Sequence, residues 1–122
     1  MAKAKSTTEK EVEAVHKKLR ELTSSMSEDE HALIDSLLHN AAWLQVKLDN
    51  TRTLLTDQEI LIEYDNGGGQ RGMRKNPGFD GYRQLLTSYT TTIKTIRDML
   101  PEGEDDDINA FVEYTKRHAR KA

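Results

Sequence analysis

The chain has 122 residues, 35% of them hydrophobic and 32% charged, with a formal net charge of -3. A mean hydropathy of -0.78 leaves little material for a large self-contained core and favours elongated helices with solvated faces over a compact sheet protein. There is no cysteine, which excludes disulfide scaffolds and thiolate zinc sites, and the sequence lacks both an apolar run long enough to span a membrane and the apolar centre of a secretory signal, so a cytosolic setting is expected.

Residues 1–27 read as a basic, flexible N-terminus followed by a short helix, with residues 1–7 expected to be disordered. From Thr8, the apolar residues Val12, Val15, Leu19 and Leu22 line one side. Glu9, Glu11 and Glu13 sit near the helix start and Lys17, Lys18 and Arg20 near its end, the polarity that the helix dipole favours. The three cations are candidate contacts for DNA or a partner, although such groups also serve solubility on an amphipathic helix. Thr23 to Ser27 form a turn, and Ser27 with Glu30 matches a capping box.

Residues 28–100 form the central unit. A helix of about seven turns should start near Glu28, with Ile34, Leu37, Ala41, Leu44, Leu48, Thr51 and Leu55 as its seam. Leu33, Leu38, Trp43 and Leu54 lie beside that stripe and widen it, offering a surface to the first helix or to a second subunit. Trp43 is read as core or interface in preference to a base-stacking residue.

Beyond Leu55 two readings compete. The preferred one extends the helix, with Gln58 and Ile62 completing the seam. The alternative ends it near Asp57 and pairs Glu59 to Tyr64 with Arg71 to Lys75 as a small β-hairpin, since ILI also suits a strand. In both, the glycines Gly67 to Gly69 break the preceding element, and Pro77 restarts the chain as a helix. The turn carries Gln70, Arg71, Arg74, Lys75 and Asn76, a second candidate surface for DNA or an acidic partner.

The next helix is lined by Phe79, Tyr82, Leu86, Tyr89, Ile93, Ile96 and Leu100 at spacings of three and four. Two such seams around a glycine turn predict an all-α fold, a long antiparallel helical hairpin with short flanking helices, completed by oligomerisation. Pro101 and Gly103 end the helix, and residues 101–122 comprise an acidic linker and a C-terminal amphipathic helix from about Asp107. Its face is Ile108, Phe111, Val112 and Thr115, with Lys116, Arg117, Arg120 and Lys121 following.

No catalytic constellation emerges. His31, Asp35 and His39 recur every four residues on one helix, but without metal-site spacing they read as a solvated, paired face. The serines match no GxSxG elbow, and GGGQRGMRK lacks the GxxxxGK followed by Ser or Thr of a nucleotide-binding P-loop. No cofactor, metal or covalent step is assigned.

The arrangement EYDNGGGQRGMRKNPGFDGYRQLLTSY, set between two long helices, resembles the small subunits of tailed-phage terminases. The resemblance covers roughly residues 28 to 100 and rests on Gly67 to Gly69 and Gly72 in the connector, followed by Lys75, Asn76 and Pro77 at the helix restart. It implies a noncatalytic, homo-oligomeric ring that binds double-stranded viral DNA and recruits or regulates a large ATPase and nuclease subunit in the cytoplasm of the infected bacterium. Carried over, Leu37, Leu44, Leu48, Leu55, Tyr82, Leu86, Tyr89, Ile93 and Ile96 would build the hairpin and subunit contacts. Lys17, Lys18, Arg20, Arg71, Arg74 and Lys75 would be the DNA or partner contacts, and Phe111, Val112 and Arg117 would meet the large subunit.

Overall fold

The computed structural model describes residues 6–65, 67–100 and 105–119. Their order is α1 (Thr7–Leu22), α2 (Glu28–Leu55), β1 (Leu61–Asp65), β2 (Arg71–Lys75), α3 (Pro77–Met99) and α4 (Asp105–Ala119). The fold is all-α, a long α2–α3 hairpin flanked by the shorter α1 and α4, with a two-stranded β-ribbon at the connector. Side-chain contacts set the antiparallel sense: Arg52 reaches Tyr82, while Gln45, two turns earlier on α2, reaches Tyr89, later on α3.

Local chemistry places the helix starts. Ser6 caps α1 by accepting the Glu9 amide at 3.1 Å, so that helix begins at Thr7, one residue ahead of the expected Thr8. Ser27 and Glu30 form the full capping box at α2, with both bonds at 3.1 Å. The Ser27 backbone amide, then its hydroxyl, holds the Glu30 carboxyl below its ordinary value. Asn76 caps α3 and Pro77 fills its first turn.

Both predicted seams are in the core. Leu44, Leu48, Leu55, Leu86, Tyr89, Ile93 and Ile96 are buried, and Leu37 and Tyr82 pack partly buried against them. Full burial of a side chain such as Leu48 or Ile96 contributes roughly 1.5–3 kcal/mol. A second set on α2, Leu38, Ala42, Gln45 and Val46, is also buried, because α2 meets α1 as well as α3 and α4 reaches all three. One core cluster therefore draws on all four helices, from Val12 to Phe111.

Inside that core runs a polar chain. The Tyr89 hydroxyl donates to Gln45 Oε1 at 3.4 Å, and Gln45 Nε2 donates to the Tyr114 hydroxyl at 3.2 Å, so a buried amide is satisfied at both ends by aromatic hydroxyls. Burial pushes the Tyr89 phenol well above its ordinary value and keeps it a neutral donor.

The extension of α2 through Gln58 and Ile62 is corrected: the helix ends at Leu55 and Ile62 lies in β1. Tyr64 and the β-branched Ile60 and Ile62 suit an extended backbone, and residues 71–75 supply the partner strand that a helix would leave unused. Gly67 and Gly69 take φ of 82° and 80° at the tip, the left-handed region that glycine enters without a steric penalty. At the other end, α4 starts at Asp105, ahead of the expected Asp107. Residues 101–104 of the acidic linker, residues 1–5 of the N-terminus, and Arg120 and Lys121 lie outside the described residues. Among those described, no helix is long and apolar enough to cross a membrane.

Candidate interaction surfaces

Asn76 fastens the ribbon to the helices. It is 8% exposed; its backbone N–H donates to the Ile60 carbonyl at 2.7 Å and its side-chain Nδ2 to Gln58 Oε1 at 2.8 Å and the Glu59 carbonyl at 3.2 Å. Its Oδ1 accepts the Gly78 amide at 3.0 Å. Gly78 itself passes so near Leu55 that an added Cβ would lie 2.7 Å from Leu55 Cδ2. Replacing Asn76 by Ala should cost about 1–2 kcal/mol, because the N-cap of α3 and the part-buried hydrogen bonds to Gln58 and Glu59 are lost together. The loss should fall on the ribbon: hydrogen exchange should quicken at residues 60–75 while helicity holds, and unchanged ribbon exchange would contradict the clamp.

Beyond that clamp the strands pair with each other, Leu61 opposite Lys75 through Asp65 opposite Arg71, and among the described residues they pack on no helix. Tyr64 lies over Gly72, where a Cβ would sit 2.9 Å from the ring, so the glycine makes room for the aromatic. Ile60, Leu61, Tyr64 and Met73 are all exposed. The cations Arg71, Arg74 and Lys75, grouped by the sequence, do share one strand. They face an acidic one: Asp65 pairs with Arg71 at 3.5 Å, Glu63 is two residues before it, and Glu59 precedes the strand. Three bases thus balance three acids over residues 59–75.

The Lys17, Lys18 and Arg20 group is divided by the rotation of α1. Arg20 turns towards α2, where its Nε lies 3.5 Å from Asp35, a carboxylate that also meets His16 Nε2 at 3.0 Å. Lys17 lines the adjacent hollow with Glu13, Glu21 and His31. Lys18 turns the other way, towards α4, and its Nζ stands 6.0 Å from the Tyr114 ring. Arg117 stands 6.0 Å from the same ring. Two cations that the sequence assigned to different partners therefore flank one aromatic side chain, with cation–π geometry at the outer limit of range.

Phe111, expected at a contact with another subunit, is fully buried in the chain's own core, and Thr115 beside it is 2% exposed. Val112 is half-buried and Arg117 exposed, so of that trio Arg117 is the side chain presented outward. The His31, Asp35 and His39 row likewise serves packing on α1. His31 Nε2 lies 2.8 Å from the buried Thr23 hydroxyl, and the His39 ring lies 5.1 Å from that of His16. Among the described residues no group of three or more such side chains is placed to hold a metal ion.

A third surface is the shallow hollow between α2 and α3, lined in part by Trp43, Thr51, Gly81, Leu85 and Ser88. Trp43 is 43% exposed there, with Lys47 Nζ 5.6 Å from its ring, and Leu33 and Leu54 are more exposed still. Sequence reasoning missed Tyr114 and the acids of β1 as site residues; it placed Asn76 in the turn and, with Pro77, at the helix restart, but not its hydrogen bonds to Gln58 and Glu59. Comparison with protein-family models, curated proteins and solved structures finds no match to this chain.

Proposed function

We propose that the chain is a noncatalytic, self-associating subunit of a phage DNA-packaging motor, of the terminase small-subunit type, that holds duplex DNA and recruits a separate ATPase and nuclease subunit in the host cytoplasm. The resemblance of residues 28–100 supplies the family in this reading. The observation that carries the DNA contact is the convergence of Lys18 and Arg117 on Tyr114, which joins two basic helix ends into one exposed surface. With a net charge of -3, a single copy has no general attraction for a polyanion, so repetition of this surface around an assembly supplies the affinity. No chemical step is assigned to the chain.

Fluorescence anisotropy of a labelled duplex tests the surface. Changing Lys18 and Arg117 together to Glu should weaken binding at least ~10-fold at low salt and flatten the salt dependence, since each lost phosphate contact removes about 0.9 from the logarithmic slope. Unchanged binding would remove the α1–α4 surface from the account. A second reading, an oligomeric adaptor that binds protein only, is favoured by the charge balance and exposed apolar residues of the ribbon. It takes over if the wild-type chain shows no salt-sensitive DNA binding at all.

A further inference from the structure

A two-stranded ribbon is marginal in water by itself; among the described residues this one packs on no helix, and both of its strands are edges. Its hydrogen-bond phase identifies what those edges present. Asn76 N–H donates to the Ile60 carbonyl, in register with the ribbon, which makes that pair the hydrogen-bonded kind. By alternation, 62 with 74 and 64 with 72 are also hydrogen-bonded pairs, whereas 61 with 75, 63 with 73 and 65 with 71 are not. The backbone groups of Leu61, Glu63 and Asp65 therefore point out from β1, and those of Arg71, Met73 and Lys75 point out from β2. All six side chains lie on one face, because directly opposed residues share a face and alternate residues along a strand do too.

That face has two signs. Glu63 and Asp65 stand along the β1 edge, and Arg71 and Lys75 along the β2 edge. If two copies joined β1 to β1, acids would lie beside acids, and joining β2 to β2 would set bases beside bases. Only β1 against β2 brings opposite charges together, and it repeats the antiparallel register already present within the chain.

We infer that the outer edge of β1 pairs with the outer edge of β2 in a second copy of this chain, antiparallel and head to tail. The inference rests on the self-association in the proposed function and gives it a contact. Each copy carries one edge of each kind, so the pairing is heterologous and propagates until rotation closes it into a ring. Leu61 and Met73, exposed in the single chain, then gain neighbours on the adjoining strands.

A charge-swapped chain tests this without disturbing the ribbon's internal pairing. Glu63→Lys and Asp65→Lys combined with Arg71→Glu and Lys75→Glu keep opposite charges within each copy but reverse both edges. Native mass spectrometry after subunit exchange with isotope-labelled wild type should show each protein assembling with itself. Mixed oligomers should fall at least ~10-fold below the binomial share, since every mixed contact juxtaposes like charges. Binomial mixing, or a swapped chain that stays monomeric while the wild type assembles, overturns the edge pairing and leaves self-association standing. A monomeric wild type removes both. Hydrogen exchange on the unaltered protein reads the same contact: amides of Glu63 and Met73 should gain protection with concentration, and equal exchange in dilute and concentrated protein overturns it.

Discussion

Replacing Leu48 by Asp should unfold the whole chain. Leu48 has no exposed surface, sits in the middle of α2, and belongs to the cluster that draws on all four helices. The substitution removes a leucine whose truncation alone costs about 2–5 kcal/mol. It also places a carboxylate among apolar side chains, where an unpaired charge adds several kcal/mol more. Together these approach the entire stability of a small domain, about 5–15 kcal/mol. Far-UV circular dichroism should therefore show loss of helix at ambient temperature, and Leu48→Ala should melt lower yet still cooperatively. A Leu48→Asp protein melting within a few degrees of the wild type would contradict the placement of Leu48 in this core.

Phe111→Ala should have a smaller effect with a different reach. Phe111 is fully buried and Thr115 is nearly so, and through this side α4 meets the other three helices. Losing a buried phenylalanine costs about 3–5 kcal/mol. A helix of 15 residues is marginal on its own, so the cost should appear as undocking and melting of α4. The α2–α3 hairpin keeps its own seam of Leu44, Leu48, Leu86, Tyr89 and Ile93. Hydrogen exchange should lose protection over residues 105–119 and retain it over 34–48 and 86–96. Because Arg117 is carried by the same helix, duplex binding should weaken too. Undiminished protection of α4 would show that Phe111 is not what holds it.

The hairpin was legible in the sequence because its seams are local: spacings of three and four put Leu37 to Leu55 on one stripe and Tyr82 to Leu100 on another, whatever else surrounds them. The capping box at Ser27 was legible for the same reason. The second buried stripe of α2, with Ala42, Gln45 and Val46, was not, because only the arrival of α1 and α4 makes those positions interior. Helix or strand after Leu55 was likewise decided at a distance, by the pairing of residues 61–65 with 71–75 and by the hydrogen bonds of Asn76 to Gln58 and Glu59.

The candidate surfaces were harder still to read, since charge runs along a chain do not survive its folding. Lys18 and Arg20 lie two residues apart, about 200° around a helix of 3.6 residues per turn, and so serve different neighbours. Lys18 and Arg117 are far apart in sequence and share the Tyr114 ring. The basic run Arg71, Arg74 and Lys75 is balanced by acids that become its neighbours only when β1 pairs with β2. That balance turns the ribbon from a simple cationic loop into an edge with two signs, suited to another copy of itself.

Absolute mass by light scattering, measured alone and with duplex DNA at low and at high salt, shows whether the chain self-associates and holds DNA. A stable multimer should gain DNA mass at low salt and release it at high salt. A persistent monomer, or a multimer whose mass never changes with DNA, would contradict the proposed function.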